Sequence, residues 1–68
     1  MKSISGKDFS MLLEKKNWVL RRTQGSHHIY AKEGDPVRIS VPIHGDKPLK
    51  VGLLVHLMKI AGIDESEL

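Results

Sequence analysis

Cysteine is absent from this 68-residue chain, so neither a disulfide nor a thiolate zinc site can staple it. Aromatic residues are scarce: Phe9, Trp18 and Tyr30 are the only three. A chain this short buries only about 60% of its unfolded surface, so its core must come from aliphatic side chains gathered round those rings. No apolar run approaches the roughly 18 residues that a membrane span needs. The opening Met1-Lys2-Ser3-Ile4-Ser5-Gly6 lacks the apolar stretch of a secretion signal. No Gly-rich nucleotide loop and no Gly-x-Ser-x-Gly elbow is present, and no small-molecule cofactor is expected. Residues 1–68 read as a single domain, and the expectation is a soluble cytoplasmic protein with no membrane partner.

Charge of one sign is also unevenly supplied. Eleven Lys and Arg oppose eight Asp and Glu, a formal charge of +3, and the acidic residues gather in the tail Asp64-Glu65-Ser66-Glu67. The body that remains is basic, which suits a polyanion such as nucleic acid or an acidic protein partner.

The chain begins with helix signals. Ser5 is placed to cap a helix through the Asp8 backbone N–H, and the Asp8 carboxylate suits the positive end of the helix dipole. Ile4 and Phe9 stand at the positions of a hydrophobic staple. Phe9, Leu12 and Leu13 recur at helical spacing, Lys15 and Lys16 close the last turn, and Asn17 follows at a position that favours left-handed backbone. This predicts a helix from about residue 6 to 16.

Trp18 to Thr23 and His27 to Lys32 are rich in strand formers, and the short Gln24-Gly25-Ser26 turn between them predicts an antiparallel hairpin. Leu20, like Trp18, is expected to find apolar company in the core. After the turn Glu33-Gly34-Asp35-Pro36, Val37, Ile39, Val41 and Ile43 alternate with polar Arg38 and Ser40. That alternation predicts a strand with one buried and one solvated face, ending at a sheet edge near Pro42. A second helix is expected from about Val51 or Gly52 to Ala61, stopped by Gly62, and Asp64 and Glu67 stand in capping-box spacing. The fold class is therefore α+β: a two-layer sandwich in the order α-β-β-β-α, with a three-stranded antiparallel sheet and two helices on one face. The other face stays open.

Gly25-Ser26-His27-His28-Ile29-Tyr30 carries the chemistry. Histidine is the side chain that both gives and takes protons near neutral pH, and a histidine held by a tight turn is the best-placed general acid or base here. His27, His28, His44 and His56 do not read as a metal site: neighbours on a strand point to opposite faces, and no carboxylate or cysteine stands at ligand spacing. Arg21, Arg22, Lys32 and Arg38 spread over the strands, and Lys47 and Lys50 follow in a loop. Such cations hold a phosphate backbone without reading bases. A histidine among them could deprotonate an RNA 2′-hydroxyl or protonate the leaving oxygen. A non-catalytic RNA-binding module and a protein-interaction adaptor use the same surface and stand as alternatives.

Together these segments resemble the HicA family of toxin–antitoxin mRNA interferases. The resemblance is carried by Ser5-Gly6-Lys7-Asp8, Trp18, the Gly25-to-Tyr30 stretch, Val41-Pro42-Ile43-His44-Gly45, Leu49-Lys50-x-Gly52 and Ala61-Gly62-Ile63. It implies a double-stranded-RNA-binding-domain-like fold, ribosome-independent cleavage of mRNA, and neutralisation by a HicB antitoxin that covers the site. It makes His27 the match to the catalytic histidine, with His28 in reserve. His44 is a possible helper, and Ser26, Arg21, Arg22, Lys32, Arg38, Lys47 and Lys50 are the expected RNA contacts. Two positions depart from the family pattern: Asn17 stands where glycine is usual, and Leu53 where a threonine often follows the glycine. Strand alternation separates the two histidines. Tyr30 is expected to point inward and His27 outward.

Overall fold

The computed structural model describes residues 2–68. Its elements are α1 (Gly6–Lys15), β1 (Val19–Gln24), β2 (His27–Lys32), β3 (Asp35–Pro42) and α2 (Val51–Ala61), followed by a short 3-10 turn, Glu65–Glu67. The strands form one antiparallel sheet in the order β1-β2-β3.

Capping chemistry sets the bounds of α1. Ser5 is extended (φ −76°, ψ 159°), and its Oγ accepts the Asp8 backbone N–H at 3.1 Å. At the other end Asn17 takes φ 72°. The Trp18 N–H then donates to the Leu13 carbonyl at 3.0 Å and the Asn17 N–H to Glu14 at 3.1 Å, the bond pair of a Schellman cap with asparagine where glycine is usual. The reversal drops Trp18 straight into the core. α2 stops in the same manner: Gly62 takes φ 70°, and the Ile63 N–H donates to the Met58 carbonyl at 3.0 Å.

Both helices lie on one face of the sheet. Phe9 and Leu13 of α1 and Leu54, Leu57 and Met58 of α2 form a single buried cluster with Trp18, Leu49 and Ile63. Tyr30, Ile39 and Val41 supply the sheet side of that cluster. Tyr30 pairs with Ile39 and His28 with Val41, so these residues share a face and the alternate residues of each strand face away.

Two apolar residues expected inside lie outside. Leu20 is 41% exposed, and every residue of β1 is exposed. The buried cluster draws on β2 and β3 and on no residue of β1. Val37 is 39% exposed. Ala31 pairs with Arg38 and Lys32 with Asp35, which leaves Pro36 and Val37 as extra residues outside the ladder. The irregularity takes Val37 out of the alternation that its sequence neighbours obey.

One end of the sheet is tied together by main-chain contacts. The Ile43 N–H donates to the Ser26 carbonyl at 2.8 Å, and the Leu49 N–H donates to the Ile4 carbonyl at 2.8 Å. Ser5 and Pro48 form an isolated antiparallel bridge. Gly6 opens α1 against the end of β3, where an added Cβ would overlap the Pro42 carbonyl oxygen and lie 3.3 Å from Ile43 Cγ1. At the chain's end Glu67 Oε2 accepts the Asp64 N–H at 2.6 Å, and Glu67 pairs with Lys16. These two contacts, the backbone bond first, hold the Glu67 carboxyl below its ordinary 4.5.

Gly6→Ala is expected to destabilise the fold by about 2 kcal/mol or more, because its new methyl group meets backbone that cannot swing aside. Gly52→Ala, with nothing near its Cβ position, should be neutral or stabilise by up to about 1 kcal/mol. Urea denaturation of both variants checks the contrast. A carboxyl whose folded pKa is depressed stabilises above its unfolded pKa and loses that stabilisation as pH falls through the folded value. Between about pH 5 and about pH 3, Glu67→Gln should therefore lose less stability than the wild type, as read from denaturation midpoints across that range.

Candidate functional site

The site is built outward from the β1–β2 connection. Gln24 pairs with His27, so Gly25 and Ser26 form a two-residue turn. Gly25 has φ 61° and Ser26 is not among the positive-φ residues. Positive φ at the first central position alone is the pattern of a type II′ turn, whose twist suits a hairpin. The turn makes His27 the first residue of β2 and fixes the alternation of all that follows.

His27 is exposed, on the face away from the helices. His28 looks the other way. It stands opposite Val41 and Thr23 and is half-buried, with Nδ1 shut off from solvent and without a hydrogen-bond partner. Tyr30 points inward at 2% exposure, and its hydroxyl donates to Glu14 Oε2 at 3.3 Å. Burial raises the Tyr30 phenol above its ordinary 10.0; a bond with Ser10 opposes the rise and the Glu14 carboxylate adds to it. Tyr30 is thus a neutral structural anchor, and of the two adjacent imidazoles His27 is the one more open to solvent.

The cations divide into groups. Arg22 pairs with Ile29 and so shares the open face with His27, one strand over and one step diagonal, a spacing of roughly 7–8 Å. Arg38 pairs with Ala31 on that face, but its Nη1 lies 3.5 Å from the carbonyl oxygens of Asp35, Pro36 and Val37, drawn back toward the β2–β3 turn. Arg21 is exposed at the irregularity between Leu20 and Arg22. Lys32 is set apart from the open face: its Nζ stands 5.8 Å from the centre of the Trp18 ring, on the side where Trp18 joins the core. Ser26 is half-buried and serves through its carbonyl, which anchors Ile43.

His44, Lys47 and Lys50 gather elsewhere. All three are exposed and line a hollow of about 320 Å³ whose apolar wall includes Pro42, Pro48 and Leu53. Pro42 belongs to both places, since it pairs directly with His27 and lines the hollow. Pro42 and Gln24 flank His27 on either side, and neither is singled out as a site residue by composition or motif. Gln24, expected in the turn, is instead the last residue of β1, where the two-residue loop makes it the partner of His27.

No acidic residue occurs in 19–24, 27–31 or 38–42, the strand segments that form this part of the sheet. Among the described residues no three His, Asp or Glu side chains converge as metal ligands, and no helix is long and apolar enough to cross a membrane. An exposed imidazole beside a guanidinium on an acid-free surface can exchange a proton and hold an anion in the same place.

Fold and surface together define a small α+β domain whose uncovered sheet face carries His27, Arg22 and Arg38 and no carboxylate in the strand segments around them. The family is shown by direct comparison: the model of the HicA toxin of bacterial toxin–antitoxin systems matches residues 6–63. The chain belongs to the HicA toxin family. No curated protein sequence matches it.

The different settings of the two histidines are open to a stability measurement. His28→Leu removes an unpartnered buried nitrogen from an apolar neighbourhood and should stabilise the fold by about 1 kcal/mol. His27→Ala should change stability by no more than about 0.5 kcal/mol, as exposed substitutions do. Chemical denaturation of the two variants distinguishes them.

Proposed function

We propose that this toxin is an endoribonuclease, an mRNA interferase that cuts RNA without a ribosome or a metal ion, with His27 as its general acid–base group. One observation carries the reading: in a chain of the HicA toxin family, His27 is the imidazole exposed on an acid-free sheet face, with Arg22 diagonal to it.

The chemistry follows from those groups. The His27 imidazole takes the proton of a ribose 2′-hydroxyl, and the freed oxygen attacks the adjacent phosphorus. The bond from phosphorus to the 5′-oxygen breaks, and that oxygen acquires a proton from water or a second acid. The products are a 2′,3′-cyclic phosphate and a 5′-hydroxyl. Negative charge builds on the phosphorane oxygens in between, where Arg22 is the nearest strand cation to stabilise it. Arg21 and Arg38 extend the positive surface along the strands, and Lys47 and Lys50 extend it past Pro42. Lys32 and Ser26 support the reading less, being engaged with Trp18 and Ile43. His28 is the fallback for the proton transfer. A HicB-like antitoxin neutralises the enzyme by covering this face, and RNA as the substrate places the action in the cytoplasm.

The test is cleavage of single-stranded RNA by purified protein with EDTA present, for the wild type and for His27→Ala, His28→Ala and His44→Ala. The wild type should cleave, and His27→Ala should be slower by about 10²- to 10⁴-fold, the usual contribution of a general acid–base group, with unchanged circular dichroism. Full activity in His27→Ala alongside loss in a folded His28→Ala moves the role to His28. Binding of RNA without cleavage by the wild type identifies a non-catalytic binding module instead.

A further inference from the structure

The hollow beyond Pro42 is not needed for proton transfer, yet it is well built. Three main-chain bonds hold its wall: Lys47 N–H to the His44 carbonyl at 3.0 Å, Leu49 N–H to Ile4 at 2.8 Å, and Ile43 N–H to Ser26 at 2.8 Å. Gly45, at φ 58°, lets the loop turn between His44 and Lys47. The cavity therefore exists before any ligand arrives, and little ordering cost is left to binding. Its volume, about 320 Å³, is at the lower end of the ~300–1,000 Å³ typical of small-ligand sites.

Its chemistry is divided. Pro42, Pro48 and Leu53 form an apolar wall, while His44, Lys47 and Lys50 stand at the exposed rim. The two prolines have no N–H, so a flat apolar surface can cover them without stranding a donor. No carboxylate lines the cavity; Asp46, next to Lys47 in the chain, is outside the lining. A purely apolar ligand would leave the cations unused, and a free phosphate would leave the wall uncovered. A nucleotide uses both: its base covers the wall and stacks on the His44 ring, and its phosphates meet Lys47 and Lys50.

Position completes the case. Pro42 is the cross-strand partner of His27, and paired residues of an antiparallel ladder have Cα atoms about 4.5–5.5 Å apart. A strand of RNA with its reacting ribose at His27 would thus carry its next nucleotide to the hollow. We infer that this cavity is a base-binding subsite, which takes one unpaired base beside the bond to be cut and gives the enzyme its footing on single-stranded RNA. His44 is then a stacking and positioning residue, and Leu53, which departs from the family's usual threonine, is part of the wall.

The subsite rests on RNA being the substrate, and its test reads binding without cleavage. Short single-stranded 2′-O-methyl RNA oligonucleotides, in which the attacking hydroxyl is blocked, are titrated by fluorescence anisotropy. One abasic residue is moved through the sequence. Loss of a single base should weaken binding about 10- to 100-fold at one position, the range expected of one stacked base, and no more than about 3-fold elsewhere. In His44→Ala, an exposed change that leaves the fold intact, and in Leu53→Glu, which places a carboxylate in the wall, that position should become as tolerant as the rest. Equal tolerance at every position in the wild type overturns the subsite and leaves the RNA reading standing, as does an unchanged profile in both variants. Failure of the wild type to bind any oligonucleotide overturns both.

Discussion

Gly6 brings the first turn of α1 so close to the Pro42 carbonyl that no side chain fits between them, and the arrangement of this end of the sheet depends on that contact. The same end of β3 pairs with His27 and lines the hollow with His44 and the two lysines. Ser26 is tied to Ile43 and Ile4 to Leu49 by backbone bonds, so the hairpin turn, the loop after β3 and the segment before α1 form one connected structure. Backbone atoms have no rotamers to adjust. A group mounted on such a frame keeps its geometry.

The frame also explains how a domain with so small a core can leave one sheet face uncovered. Its apolar residues are concentrated on one side: Tyr30, Ile39 and Val41 face the helices with Phe9, Leu13 and Leu54. The opposite face is left to His27, Arg22 and their neighbours. Two adjacent histidines are thereby given different roles by alternation alone. His28 fills space beside Val41 with a nitrogen left without a partner, and His27 meets solvent. The pair is not a dyad, since neighbouring side chains on a strand diverge.

Much of this architecture was legible in the residues. Ser5, Asn17 and Gly62 bound the helices by capping rules that act within a few residues, and the capping box of Asp64 and Glu67 formed as its spacing indicated. The hairpin was legible because the connection Gln24-Gly25-Ser26 is short, although the structure takes Gln24 into β1 and turns on Gly25 and Ser26 alone. The inward Tyr30 and outward His27 followed from alternation and from the need to bury the larger ring. Less legible were Leu20, Val37 and Lys32. Leu20 is exposed because the buried cluster takes in no residue of β1, and Val37 because two extra residues interrupt the ladder. Lys32 resembles the other strand cations in sequence, yet its parity turns it toward Trp18.

The sequence by itself determined which segments become helix or strand, where the helices stop, and that one histidine of the pair would face out. These outcomes depend on capping, turn chemistry and side-chain period, which are local. Only the tertiary structure decided which surface residues share a place. Arg22 joins His27 through strand pairing, while His44, Lys47 and Lys50 join Pro42 and Leu53 around a hollow because a loop is pinned to the start of α1. The residues that line the hollow lie within 42–53 of the chain, yet the loop that carries them is pinned by Ile4 and Ser5 from the other end, and no local rule of spacing encodes that meeting.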